Sequence, residues 1–131
     1  MALDQAQANL ILASMHGGTA YSTTGLIHVR LMTAAGSATA NGTELTTSGG
    51  YTSGAGAPTI ATWAAASAGS QATSAAVTVT NMPAATIPAI ELWDSNATPK
   101  RIEFGNLTAS KTTVSGDTLS FASGAITSAL A

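Results

Sequence analysis

The sequence predicts an all-β fold, an antiparallel β-sandwich or barrel of about eight short strands preceded by one short helix. Three observations carry that reading. Apolar and polar residues alternate with period two in several short segments. Clusters of Gly, Pro, Asn, Asp and Ser separate those segments. Apolar spacing of three and four residues occurs near the N-terminus. At 131 residues the chain has the size of one domain. The expected division is a helix or arm over residues 1–20 and a β-sandwich over residues 21–131.

Residues 3–15, LDQAQANLILASM, place Leu3, Ala6, Leu10 and Ala13 on one helical stripe. Asp4 stands where the helix dipole favours an anion, and Gly17-Gly18 supplies a stop. So short a helix is marginal alone in water. It needs a surface, either its own domain or a neighbouring subunit.

Leu26–Thr33 reads as the first strand, with Ile27, Val29 and Leu31 facing one way and His28 and Arg30 the other. Residues 34–59 are turn-rich, with Asn41-Gly42 as a tight-turn signal, and read as an extended surface loop. Thr59–Ala65 offers Ile60 and Trp63 as large groups. Ala75–Asn81 alternates with Val77 and Val79 inward and Thr78 and Thr80 outward. Met82-Pro83 ends it, and Pro88 marks a strand start or an edge. Ile87–Leu107 reads as a hairpin around Asp94–Pro99, with Ile90, Leu92, Ile102 and Phe104 on its buried face. Glu91, Arg101 and Glu103 are expected on its outer face, where cross-strand pairing of Glu91 and Glu103 with Arg101 or Lys100 tunes register. Lys111–Val114, Asp117–Phe121 and a segment near Ile126 complete the strands.

Composition excludes several functions. Without cysteine there is no disulfide framework and no thiolate metal site. Four basic residues cannot form the positive stripe that nucleic-acid binding requires. No apolar run reaches the length of a membrane-spanning helix. The N-terminus lacks the basic region and continuous apolar core of a signal peptide. Without such a peptide, the sequons at Asn41, Asn96 and Asn106 read as chance matches in a Thr-rich chain. The glycines of residues 34–59 match neither a P-loop nor a GxGxxG pattern. His16 and His28 have no companion ligands at metal-site spacing. Glu91, Asp94 and Glu103 share one hairpin without the pocket that paired glycosidase carboxylates need. No catalytic, metal or cofactor site is therefore expected, and the chain reads as no enzyme.

Ordered motifs along almost the whole chain resemble a family of small tailed-bacteriophage virion proteins, labelled tail-fibre-like, minor tail or minor capsid proteins. The matching pieces begin with a helix ending in His16-Gly17-Gly18-Thr19-Ala20-Tyr21 and the strand Ile27–Ala34. Glu44 followed by Ser48-Gly49-Gly50-Tyr51 comes next, then Ala75–Val79 and the hairpin. The most specific piece is Lys111-Thr112-Thr113-Val114-Ser115-Gly116-Asp117-Thr118-Leu119-Ser120-Phe121-Ala122-Ser123-Gly124. Thr52 stands where the family has a basic residue, and in Ile87–Asp94 only the strand pattern and Asp94 carry over.

The resemblance implies a structural protein of the virion. Two roles follow from it. The first is a head accessory, a minor capsid or decoration protein that clamps the major capsid lattice. The alternative is a minor tail or tail-fibre-like protein that contributes to tail structure or host contact. The chain has neither the heptad run nor the internal repeat of a long fibre, which favours the first. Sparse charge and many small side chains lower the cost of covering the surface. They predict a homo-oligomer, guessed as a trimer, bound to the major capsid protein or other virion proteins through Leu3, Leu10 and Ile11. Neither nucleic acid nor a membrane is expected as a partner.

Overall fold

A computed structural model describes residues 1–130; Ala131, the last residue of the expected β domain, lies outside them. Ten strands and one α-helix follow in the order β1 (Ala2–Leu3), α1 (Gln5–Met15), β2 (Ile27–Ala34), β3 (Thr43–Glu44), β4 (Thr59–Ile60), β5 (Ser70–Ala72), β6 (Val77–Met82), β7 (Ala85–Trp93), β8 (Arg101–Thr113), β9 (Asp117–Phe121) and β10 (Thr127–Ala129). The main sheet runs β1-β8-β7-β2-β3, with β4 also pairing with β2. Two antiparallel ribbons, β6-β9 and β5-β10, complete the architecture. The arrangement is an open sandwich and not a closed barrel. Ile87, Ile90, Leu92 and Leu31 of the main sheet share one core with Val77, Val79, Leu119 and Phe121 of a ribbon.

The β6-β9 ribbon follows the alternation of its sequence. Val77 and Val79 are buried, while Thr78 is exposed and its hydroxyl lies 2.8 Å from that of Ser120. Asn81 takes a left-handed φ of 56° between the pairs Val79–Leu119 and Met82–Asp117, and that bulge turns Met82 into the core. Pro88 lies inside β7, not at its start. The register of β7 against β8 shifts between Ile87 and Ala89, so the residue that lacks an N–H falls at a bulge. Lys111–Thr113 is no separate strand but the end of the long β8.

Residues 34–59 are more than a surface loop. Tyr51 is fully buried. Its hydroxyl donates to Glu44 Oε1 at 2.8 Å and accepts from the Leu31 N–H at 3.1 Å. Burial pushes the Tyr51 phenol up, and its hydrogen bond to Glu44 adds to that. The glycines before it allow the approach to β6. The Gly50 N–H donates to the Asn81 carbonyl at 2.7 Å, and a Cβ on Gly50 would collide with the Thr80 carbonyl oxygen. The motif Ser48-Gly49-Gly50-Tyr51 is thus a plug that ties a turn to two strands.

The hairpin departs most from expectation. Glu91, Arg101 and Glu103 are buried, not on an open outer face. On β8 the charged residues are better covered than Ile102 and Phe104. The register sets Glu103 on the face of Leu92 and Glu91 on the face of Phe104, so Ile102 and Phe104 do not continue the apolar face of Ile90 and Leu92. Three elements from outside the hairpin enclose the charged groups. β1 pairs alongside β8 through Ala2–Phe104 and Leu3–Glu103. The turn at residues 37–42 lays carbonyls on Arg101, and β10 brings Ser128 to Glu103. Alternation locates the two faces of a strand, but it does not say whether a second layer covers both.

Candidate functional site

One end of the hairpin is held by a buried ion network. Arg101 Nη1 donates to Glu91 Oε1 at 2.9 Å, and its Nε and Nη2 donate to Asp4 Oδ2 at 2.9 and 2.6 Å. The guanidinium also donates to the carbonyls of Ala40 and Ser37. Burial works against this charge, but the hydrogen bonds and charges of Asp4 and Glu91 outweigh it and hold the Arg101 pKa above its ordinary value. Glu91 further accepts from the Gly42 N–H at 2.7 Å and from Trp93 Nε1 at 3.0 Å. Asp4 has a second role as the N-cap of α1, accepting from the Ala6 N–H at 2.8 Å. A single arginine therefore fixes the helix start, a distant turn and the hairpin.

The cap sets which way α1 faces. Gln7 is buried and Ile11 and Ser14 are half-buried, whereas Ala6, Leu10 and Ala13 of the expected stripe are exposed. Leu3 belongs to β1 and not to the helix. The Gly17-Gly18 stop forms as the sequence predicts, with Gly17 at φ 88° and the Gly18 N–H donating to the Ala13 carbonyl. The outer face carries Leu10, Leu12 and Met15, each at least 46% exposed.

Beside the helix lies a groove of about 620 Å³. Ile11, Met15, Leu26, Trp63 and Leu130 line it, with Glu103 among them. Met15, Leu26 and Leu130 are themselves more than half exposed. Glu103 is only 2% exposed. Ser128 Oγ donates to its Oε1 at 2.6 Å, but among the described residues no lysine or arginine pairs with it. Burial pushes the Glu103 carboxyl up, against the hydrogen bond from Ser128 and the N-terminal ammonium. Tyr21 also lines the groove, and its buried hydroxyl has no hydrogen-bond partner among the described residues. Burial raises that phenol, and the charges of Asp94, Glu103 and Asp4 raise it further.

Of the contact residues that the sequence nominates, Leu3 and Ile11 meet in this groove. Leu10 does not; it opens on a smaller hollow beside Lys100. The sequence reading missed Met15, Leu26, Trp63 and Leu130. Leu26, beside Gly25 at a strand start, is the one signal that was visible, since a leucine there has no strand neighbour to cover it.

The remaining polar groups are committed locally. The Asp94 carboxylate accepts from the Lys100 and Asn96 N–H groups. His28 Nδ1 donates to the Ala57 carbonyl at 2.9 Å, and its Nε2 lies 3.1 Å from Ser95 Oγ. The Ser95 hydroxyl donates to the Leu26 carbonyl, which takes the proton that a nucleophile would pass to the imidazole. Among the described residues no three His, Cys, Asp or Glu side chains are grouped to hold a metal ion.

The class of protein to which such a β module belongs is the structural proteins of bacteriophage virions, as comparison with known families shows. Residues 2–129 match the family described as Podophage GP4 fiber I protein gp80, and the chain belongs to that family. No curated protein matches the chain.

Proposed function

We propose that the chain is a tail-associated, fibre-type component of the phage particle that works by attachment and not by catalysis. The family description, a fibre protein, supports the tail reading over the head-accessory one. A minor capsid or decoration role, with the major capsid protein as partner, draws no support from it. The observation that carries attachment is the concentration of exposed large apolar residues around α1 and the groove. Leu10, Leu12, Met15, Leu26 and Leu130 all lie there. Apolar surface gathered in one region marks a contact site more often than apolar residues scattered singly. The local commitment of Glu91, Asp94 and the His28–Ser95 pair supports a non-enzymatic role. The same economy of charge supports contacts made mainly by apolar burial, whose strength depends little on salt.

Gold-labelled antibody against the chain, applied to intact particles, tests the location. Label on the tail or its fibres is the expected result. Label spread over the head shell would overturn the tail reading and restore the decoration role.

A further inference from the structure

The groove has a feature that apolar attachment alone does not explain. It contains a nearly fully buried carboxyl, Glu103, and no lysine or arginine lines it. Besides the Ser128 hydroxyl only the N-terminal ammonium acts on this buried carboxyl, and burial still outweighs both, so an occupant that brings a positive charge on an apolar stem gains more here than a neutral one. The chain itself displays such a group elsewhere. Near the end of β8 Lys111 is exposed, without a carboxylate partner among the described residues, and Val114, three residues on in the β8-β9 turn, is 63% exposed. No other exposed large apolar residue among those described lies outside the region of the helix and groove.

The two features lie at opposite ends of the same hairpin. Leu92 and Glu103, paired across β7 and β8, line the groove. Ala85 pairs with Thr113 at the other end, next to Val114. Residues 85 and 92 of a continuous strand are roughly 24 Å apart at about 3.4 Å per residue. One molecule therefore cannot fill its own groove with its own tip.

We propose that the groove receives the β8-β9 tip of a second copy of this chain, with the partner copy's lysine at position 111 facing Glu103 and its valine at position 114 packed against Leu26 and Trp63. Such a contact is heterologous, head to tail. It closes into a ring if the rotation between copies permits and extends as a chain if it does not. The inference rests on the reading of the groove as an attachment surface and names the occupant.

Sedimentation of the purified full chain over a range of concentrations tests it, with Leu26→Asp and Val114→Asp variants. Both substitutions fall on exposed positions, so each is checked first for an unchanged circular dichroism spectrum. Wild type is expected to exceed its monomer mass of 12.8 kDa. Each variant alone is expected to sediment as a monomer. Their equimolar mixture is expected to give two-chain complexes and nothing larger, because one intact groove meets one intact tip. Glu103→Gln and Lys111→Met are each expected to weaken wild-type association at least tenfold. A wild-type monomer at every concentration, or a mixture that stays monomeric, overturns the proposal. If wild type is monomeric while Leu26→Asp loses binding to particles that lack the protein, a different virion protein occupies the groove. The attachment reading then stands and self-association falls.

Discussion

Glu91 and Glu103 lie on neighbouring strands of one hairpin, both withdrawn from water, and the fold treats them in opposite ways. Glu91 faces Arg101 and receives two further N–H donors, so its charge is compensated inside the domain. Glu103 receives one serine hydroxyl and looks into a groove with exposed apolar walls. Its carboxyl is pushed up by burial, whereas Glu91 is held within an ion network. Two carboxylates of similar burial therefore mark different purposes. The first ties the N-terminal segment to the hairpin. The second is met inside the chain only by the Ser128 hydroxyl and the N-terminal ammonium.

Breaking the first region should have the largest effect. Arg101→Met leaves the buried Glu91 and the half-buried Asp4 without their cation. The loss in unfolding free energy is expected at about 3–5 kcal/mol, read by urea denaturation. Replacing Glu91 by Leu in the same chain should return part of that loss, because no buried carboxylate then faces an empty partner position. If the single variant is as stable as wild type, the network does not hold the fold. The same dependence makes deletion of residues 2–15 a poor probe of attachment, since it removes Asp4 and β1 together with the outer helix face.

Tyr51→Phe removes the hydroxyl that serves both the Leu31 N–H and Glu44. A loss of about 1–3 kcal/mol is expected from the donor and acceptor left unmet. A midpoint equal to wild type would show that water replaces the hydroxyl.

The groove end responds to pH instead. A carboxyl whose folded pKa is raised stabilises the fold in its neutral form, below the unfolded value of about 4.3. That contribution fades as pH rises through the higher folded value. Glu103→Gln keeps a neutral side chain throughout, so its stability relative to wild type should grow across that window and then level off. Urea midpoints for both proteins between pH 3 and 8 read the difference. A constant gap would mean that Glu103 titrates alike in both states. The smallest effect belongs to Leu10→Asp, which should change stability by no more than about 0.5 kcal/mol, because its side chain already faces water.

What the sequence made legible follows the same divide. The β6-β9 ribbon, the helix stop at Gly17-Gly18 and the N-terminal helix itself were readable, because each depends on neighbours a few residues apart. The facing of α1 was not, since Asp4 is held by Arg101 from the far part of the chain and its grip turns Gln7 inward. Burial of Glu91, Arg101 and Glu103 was hidden for the same reason. Their partners are residues 37–42, the N-terminus and Ser128, and no local pattern announces a covering layer. Glu44 and Ser48-Gly49-Gly50-Tyr51 were visible as a motif, but their role as a buried plug needed the approach of β6.

The central claim is that the clamp builds the fold while the groove rim serves contact. Leu26→Asp tests it in one protein, through its urea midpoint and its binding to particles that lack the chain. An unchanged midpoint with binding lost is the predicted result. A lowered midpoint with binding retained would contradict the claim, because Leu26 would then belong to the fold and not to the contact.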